Sequence, residues 1–163
     1  QWNPEDPQSI GSGLANHVVL ESGRPVLIIP YSGIQKPLGK RIIIGWNASR
    51  EAVRAVNDAL PLLQGAVKVD VVAINSPGET KGADSLTADI CLHLARHGVK
   101  TEGHDVQAGD VEVGPLLLSR AAELGADLIV MGAYGHSRFR ELVLGGATRY
   151  LLHHMTVPVL MSH

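Results

Sequence analysis

Aromatic side chains are scarce in this chain: one Phe, two Trp and three Tyr among 163 residues, so a core has to be filled by Val, Ile, Leu and Ala. Cysteine is scarcer still. The single Cys91 excludes an internal disulfide and suits a reducing, cytoplasmic setting. Neither sign of charge dominates; the formal net charge of −2 supplies no global field to recruit nucleic acid or an anionic membrane. No apolar run approaches the roughly 18 residues that a membrane span requires, and no secretory leader is read. The P-loop pattern, the three-glycine dinucleotide fingerprint and a nucleophile elbow are missing too, which leaves hydrolase-type catalysis without support. What is present is a chain 45% hydrophobic and 18% charged, enough for one packed domain with an appendage.

The core of the pattern is an alternation of strands and helices. "RIIIGW" (41–46) is a β-branched run of the kind buried on both faces of a sheet. The helix after it is predicted to carry Val53, Val56, Leu60 and Leu63 on one face, with Ser49 as its N-cap and Pro61 kinking or shortening its last turn. "VKVDVVAI" (67–74) is a second strand. A turn-rich loop leads into a helix capped by Asp84 or Ser85 and stopped at Gly98. The third strand, "VKTEGHDVQA", is polar enough for a place near an edge. A third helix ends at Gly125, "ADLIVMG" is a fourth strand, and a glycine loop and fourth helix lead to "VPVLMS", the fifth. Such alternation predicts an α/β fold: an open five-stranded parallel sheet with helices on both faces and ligands beyond the carboxyl ends of the strands.

Residues 1–40 stand outside this series. "HVVLESGRPVLIIP" (17–30) echoes "YLLHHMTVPVLMSH" (150–163) when Pro25 is laid on Pro158. The echo reads as a duplication: 1–30 as the last helix and strand of a preceding copy, 31–40 as a linker, and 41–163 as the domain proper. The ten-residue linker reaches about 33 Å. The fifth strand, an apolar edge, needs cover, and Val26–Ile29 is expected to pair with it within the chain or across a homodimer.

"MGAYGHSRFRELVLGGATRY" (131–150) is the segment with chemistry in it. Its glycines allow close backbone approach to an oxyanion, a helix begins near Glu141 or Gly145, and His136, Arg138 and Arg140 add local positive charge. Elsewhere, His93 and His97 have helical ligand spacing without a third ligand, adjacent His153 and His154 suit a helix end, and Cys91 suits a core. Trp46 is equally a base-stacking surface and a space filler.

"KRIIIGWNASREA" and "ADLIVMGAYGHSRFRELVLGGATRYLLHHMTVPVLM", with the elements between them, resemble the universal stress protein family over Lys40 to Met161. Gly132, Gly135 and Gly145 fit its glycine spacing. The front segment is similar to the end of a first domain in tandem members. The resemblance implies an adenine nucleotide alpha hydrolase-like sheet of order 3-2-1-4-5. It implies adenine and ribose contacts on Gly45, Trp46, Asn47 and Ile74. Ribose and phosphates would fall on Met131, Gly132, Gly135, Gly145, Gly146, Ala147 and Thr148. ATP or ADP is the implied ligand, with room for Mg, and the implied assembly is a homodimer or intrachain pseudo-dimer through the fifth strand. Two positions depart from the family: Asn47 replaces an acid, and Gly146 replaces a Ser or Thr. The expected function is a nucleotide-binding stress-response regulator with slow or absent hydrolysis. A dimerisation module without nucleotide and an α/β enzyme of another phosphorylated substrate stay open.

Overall fold

A computed structural model of the chain describes residues 11–34, 37–75, 86–135 and 146–163. In chain order the elements are α1 (Gly11–Glu21), β1 (Val26–Ile28), β2 (Arg41–Trp46), α2 (Arg50–Gln64), β3 (Lys68–Asn75), α3 (Ala88–Arg96), β4 (Thr101–Gln107), α4 (Val113–Glu123), β5 (Leu128–Gly132), α5 (Gly146–His154) and β6 (Val159–Ser162). The sheet runs β4-β3-β2-β5-β6-β1. This corrects the five-stranded 3-2-1-4-5 expectation: the sheet has six strands, because β1 adds to β6 antiparallel while the remaining pairs are parallel. The sixth strand follows from edge chemistry. An apolar β6 with a bare edge would leave backbone N–H and C=O groups unpaired, and the Val-Leu-Ile run of β1 satisfies them.

Both faces of the sheet are covered. Ile42, Ile44, Trp46, Val69, Val71, Ala73, Leu128 and Val130 point to the layer formed by α2 and α3, whereas Ile43, Val72, Ile129, Met131, Val159 and Met161 point to the layer of α1, α4 and α5. That two-sided burial explains why β2 reads as an unbroken Ile run. Each of its isoleucines, all but solvent-free, contributes about 1.5–3 kcal/mol.

The helices differ in detail from expectation. Ser49 does cap α2, its Oγ accepting from Ala52 N at 3.2 Å. Pro61, however, sits inside a helix that continues to Gln64, and Val53 faces solvent: the buried stripe is Ala52, Ala55, Val56, Ala59 and Leu63, whose three alanines let α2 lie close to the sheet. Thr87 occupies the N-cap of α3, while Asp84 and Ser85 fall outside the described residues, as do Glu141 and Gly145. His93 and His97 are exposed with rings 4.7 Å apart. His154 Nδ1 lies 2.9 Å from the carbonyl oxygen of Tyr150, closing the end of α5. No described helix is long and apolar enough to cross a membrane.

Two buried carboxylates hold the sheet from below and at its edge. Asp127, just before β5, accepts backbone N–H groups of Gly39 at 2.7 Å, Lys40 at 2.9 and 3.1 Å, and Arg41 at 2.9 Å, clamping the start of β2 to β5. Asp70 on β3 meets Lys68 Nζ at 3.1 Å and His104 Nε2 at 2.8 Å, and Lys68 also reaches Glu102 at 2.9 Å.

Candidate functional site

Strand order reverses between β2 and β5: β2 leads to β3 on one side, while β5 and β6 lie on the other. Gly45 and Met131 are register partners at this point, so the segments leaving the two strands diverge around a crevice. A cavity of about 540 Å³ opens there, within the usual range of about 300–1,000 Å³ for small-molecule sites.

From β2 the cavity takes Gly45 and Trp46, from the residue after it Asn47, and from β3 Ile74. Met131, Gly132 and Gly135 line it from the end of β5, and Gly146, Ala147 and Thr148 from the first turn of α5. The structure thus brings together ten of the eleven residues singled out in the sequence; Gly145 lies outside the described residues. Trp46 both lines the cavity and packs in the core. Its Nε1 donates to the carbonyl oxygen of Leu86 at 3.1 Å, so the indole wall is fixed. Asn47 Oδ1 accepts the Ser49 N–H at 3.1 Å, a local turn that feeds α2, and Ala48 between them has φ of +56°.

The glycines serve different needs. A Cβ on Gly132 would stand 2.4 Å from Ala52 N and 2.5 Å from Glu51 C, so the end of β5 passes against the backbone of the first turn of α2. A Cβ on Gly135 would meet Glu51 Oε2 at 3.0 Å and Ser49 Oγ at 3.1 Å. At Gly45 it would crowd Leu117 Cδ2 at 3.0 Å. A Cβ on Gly146 would meet nothing within 4 Å among the described residues. Gly146, Ala147 and Thr148 open the described part of α5, and N–H groups at the start of a helix favour an anion. Among the described lining residues Glu112 alone carries a formal charge.

Several lining residues escaped the sequence reading. Ala108, Val111, Glu112 and Val113 form the turn from β4 into α4; the rule that ligands gather beyond carboxyl ends applies to that strand as well and would have flagged them. Leu117, Val72, Asn75 and Leu86 carry no sequence signal beyond apolarity or turn propensity. Tyr134, inside the glycine loop, has φ of +59°. Its hydroxyl donates to Asn16 Oδ1 on α1, and burial pushes its phenol up to about 12. His163 Nδ1 lies 3.1 Å from the carbonyl oxygen of Ala133, beside the same loop.

Comparison with known proteins adds to this geometry. Residues 39–163 match the model of the Universal stress protein family. A universal stress protein of Mycobacterium tuberculosis, Rv1636, is 26% identical over 140 residues, covering 76% of this chain and 96% of the relative. A Synechocystis universal stress protein is 53% identical over only 34 residues, 21% of this chain and 12% of that one. Among solved structures, a universal stress protein from Archaeoglobus fulgidus superposes with a TM-score of 0.66 at 21% identity, over 85% of this chain; the match spans about half of its own length, 49%. A universal stress protein in complex with cAMP superposes with a TM-score of 0.58 at 19% identity, over 76% of this chain and 97% of its own.

Proposed function

The chain belongs to the universal stress protein family, and on that premise we propose that it is a nucleotide-binding regulatory module of the stress response, taking ATP or ADP, with or without Mg. The observation that carries the reading is the convergence of Gly45, Ile74, Met131, Gly135 and the first turn of α5 on one cavity of about 540 Å³. In this reading the base and ribose lie against Gly45, Trp46, Asn47 and Ile74. The phosphates meet the backbone N–H groups of Gly146, Ala147 and Thr148, where the helix end carries partial positive charge. The cAMP complex of a family neighbour supports a nucleotide of this class. The module binds and signals, with slow or absent hydrolysis, in the cytoplasm. Residues 1–30 are the last helix and strand of a preceding like domain, 31–40 the linker, and 41–163 the nucleotide-binding domain.

Calorimetric titration with ATP, ADP, AMP and cAMP tests it. Absence of heat at millimolar ligand refutes nucleotide binding, and phosphate release on mixing with ATP makes the protein an enzyme. Gly146→Ser, which puts a hydroxyl into the open space, is expected to tighten binding of the phosphorylated ligands by about tenfold or more, the worth of one hydrogen bond to a charged group. A second reading, a pairing module without nucleotide, draws on one observation: Gly132 and Gly135 are already required by packing on α2.

A further inference from the structure

Strand β3 buries a charge where its place inside the sheet calls for an apolar residue. Side chains alternate along a strand, so Lys68, Asp70, Val72 and Ile74 share one face, and Val72 and Ile74 pack there in the layer of α1, α4 and α5. Asp70 is nonetheless a carboxylate, and it is 4% exposed. The neighbouring strand repeats the pattern: Glu102 is the register partner of Asp70, His104 that of Val72, and Val106 that of Ile74. This face is therefore polar towards the starts of β3 and β4 and apolar towards their ends, where the cavity opens. Ile74, which lines the cavity, stands four residues beyond Asp70, about 13 Å along a strand at about 3.3 Å per residue. The polar group is a separate feature.

Among the described residues, Asp70, Glu102 and His104 each offer one ligand atom, and these atoms all lie within 4.8 Å of one another. A tetrahedral zinc ion with bonds of about 2.0–2.1 Å holds its ligand atoms about 3.3 Å apart, a separation that small side-chain rotations reach from here. His104 Nε2 is already 2.8 Å from Asp70 Oδ1. Two carboxylates and an imidazole suit zinc, whereas magnesium and calcium take oxygen donors alone. A positive charge already sits among them. Lys68 Nζ lies 3.1 Å from Asp70 Oδ1 and 2.9 Å from Glu102 Oε2. One ammonium balances only one of the two carboxylates; a divalent cation balances both. Lys68 carries its charge on a flexible stem that is more than a third exposed, so the ammonium has a short path into water.

We propose that Asp70, Glu102 and His104 form a zinc-binding site, in which the Lys68 ammonium stands in for the ion when zinc is absent. On binding, Lys68 swings into solvent still protonated. His104 exchanges its bond to Asp70 for one to the metal, with Nε2 as the ligand atom and the ring proton on Nδ1. Asp70 and Glu102 each turn one oxygen onto the ion, and water takes the fourth position. The buried Asp70 keeps a cationic partner in both states, which is what a carboxylate so far out of water requires. The site makes no use of nucleotide and is independent of what the cavity holds.

The test is calorimetric titration of the 163-residue chain with zinc chloride at neutral pH, without nucleotide. One zinc site is expected, and millimolar magnesium is expected to leave it unchanged. Glu102→Gln and His104→Gln are each expected to weaken it about tenfold or more, since even partners behind the ligands are worth about 10–100-fold. The Glu102 carboxylate is more than half exposed, so its variant keeps the test decisive if His104→Gln fails to fold. Lys68→Gln is the sharper arm. It removes the competing ammonium and is expected to tighten zinc about tenfold or more, the release of one charged hydrogen bond. A cluster that serves only as ion pairs on the sheet loses stability in Lys68→Gln and gains no affinity for zinc. The exposed His93 and His97, with rings 4.7 Å apart, are the competing ligands. Zinc that His97→Gln abolishes and His104→Gln leaves unchanged overturns the assignment. So does a chain that takes up no zinc at millimolar ion, or an affinity that Lys68→Gln lowers or leaves as it was.

Discussion

Gly132→Ala asks whether the glycine loop is shaped by a ligand or by the fold. The added methyl would sit 2.4 Å from Ala52 N, 2.5 Å from Glu51 C and 2.9 Å from Glu51 Cβ. Two of these neighbours are backbone atoms of the first turn of α2, which Ser49 pins through its bond to Ala52 N. They cannot swing aside as a side-chain tip would. Restoring ordinary contact needs a relative shift of about 1 Å between β5 and α2, in a layer packed on Ala52, Ala55 and Val56. Overpacking of this kind costs about 1–3 kcal/mol. For a domain of this size that lowers Tm by roughly 2–12 °C. Urea denaturation followed by circular dichroism, without any nucleotide, is the assay. Gly146→Ala is the control: it meets nothing within 4 Å among the described residues, and a glycine-to-alanine change in helical backbone is expected to gain about 0.4–1 kcal/mol. A Gly132→Ala protein as stable as the parent would refute the packing argument and return that glycine to the ligand.

Three further outcomes follow from single contacts. Asp127→Ala strips the acceptor from Gly39, Lys40 and Arg41 N–H groups and is expected to cost about 2–4 kcal/mol in denaturant melts, with the cavity at the opposite end of the strands unaffected in ligand titrations. Tyr134 has a folded pKa raised by burial to about 12, against about 10 when unfolded. Its contribution is whole below pH of about 10 and lost as pH rises towards about 12, so Tyr134→Phe flattens the fall of Tm over that alkaline window. Lys68, hydrogen-bonded to Glu102 and then Asp70, is held above its ordinary range, and Glu102, hydrogen-bonded to Lys68, below its own. Stability from the Glu102 side is present above its unfolded pKa and lost as pH falls through the folded one; from the Lys68 side it is lost only as pH rises through the folded ammonium value. NMR titration of Glu102 in Lys68→Gln is expected to return the carboxyl to its ordinary range, and an unmoved midpoint would contradict the pair.

Periodicity carried the parts of the fold that depend on one strand or one helix. The run Ile42–Ile44 announces a strand buried on both sides because nothing polar fits there, and the sheet obeys. Where two distant segments meet, the sequence was silent or misleading. Val53 has helical spacing and is exposed, since the buried stripe of α2 runs through Ala52, Ala55, Val56, Ala59 and Leu63 instead. Asp127 looks like any polar residue before a strand; only the fold shows that it holds Gly39–Arg41 from 86 positions away. The candidate site was legible to the extent that it follows strand ends. Its β4–α4 wall was missed because Gly109, Asp110 and Glu112 read only as a turn between elements, and Leu117 enters only because Gly45 leaves it room.

The glycine spacing that carries the family resemblance therefore encodes a packing relation before it encodes a ligand. Gly132 and Gly135 are required where the end of β5 and its loop pass the first turn of α2, whether or not the crevice is used. Gly146 is the position in the pattern whose Cβ would meet none of the described residues within 4 Å, and it is where the resemblance implies a hydroxyl. The discriminating power for nucleotide accordingly shifts away from the conspicuous glycines. It moves to groups that the fold leaves free to choose: the open space at Gly146, the helix-end N–H groups beside it, and Glu112 on the facing wall. Substitutions at Gly132 or Gly135 will change binding through the fold and report little about recognition. Gly146→Ser, which the fold tolerates, reads recognition directly.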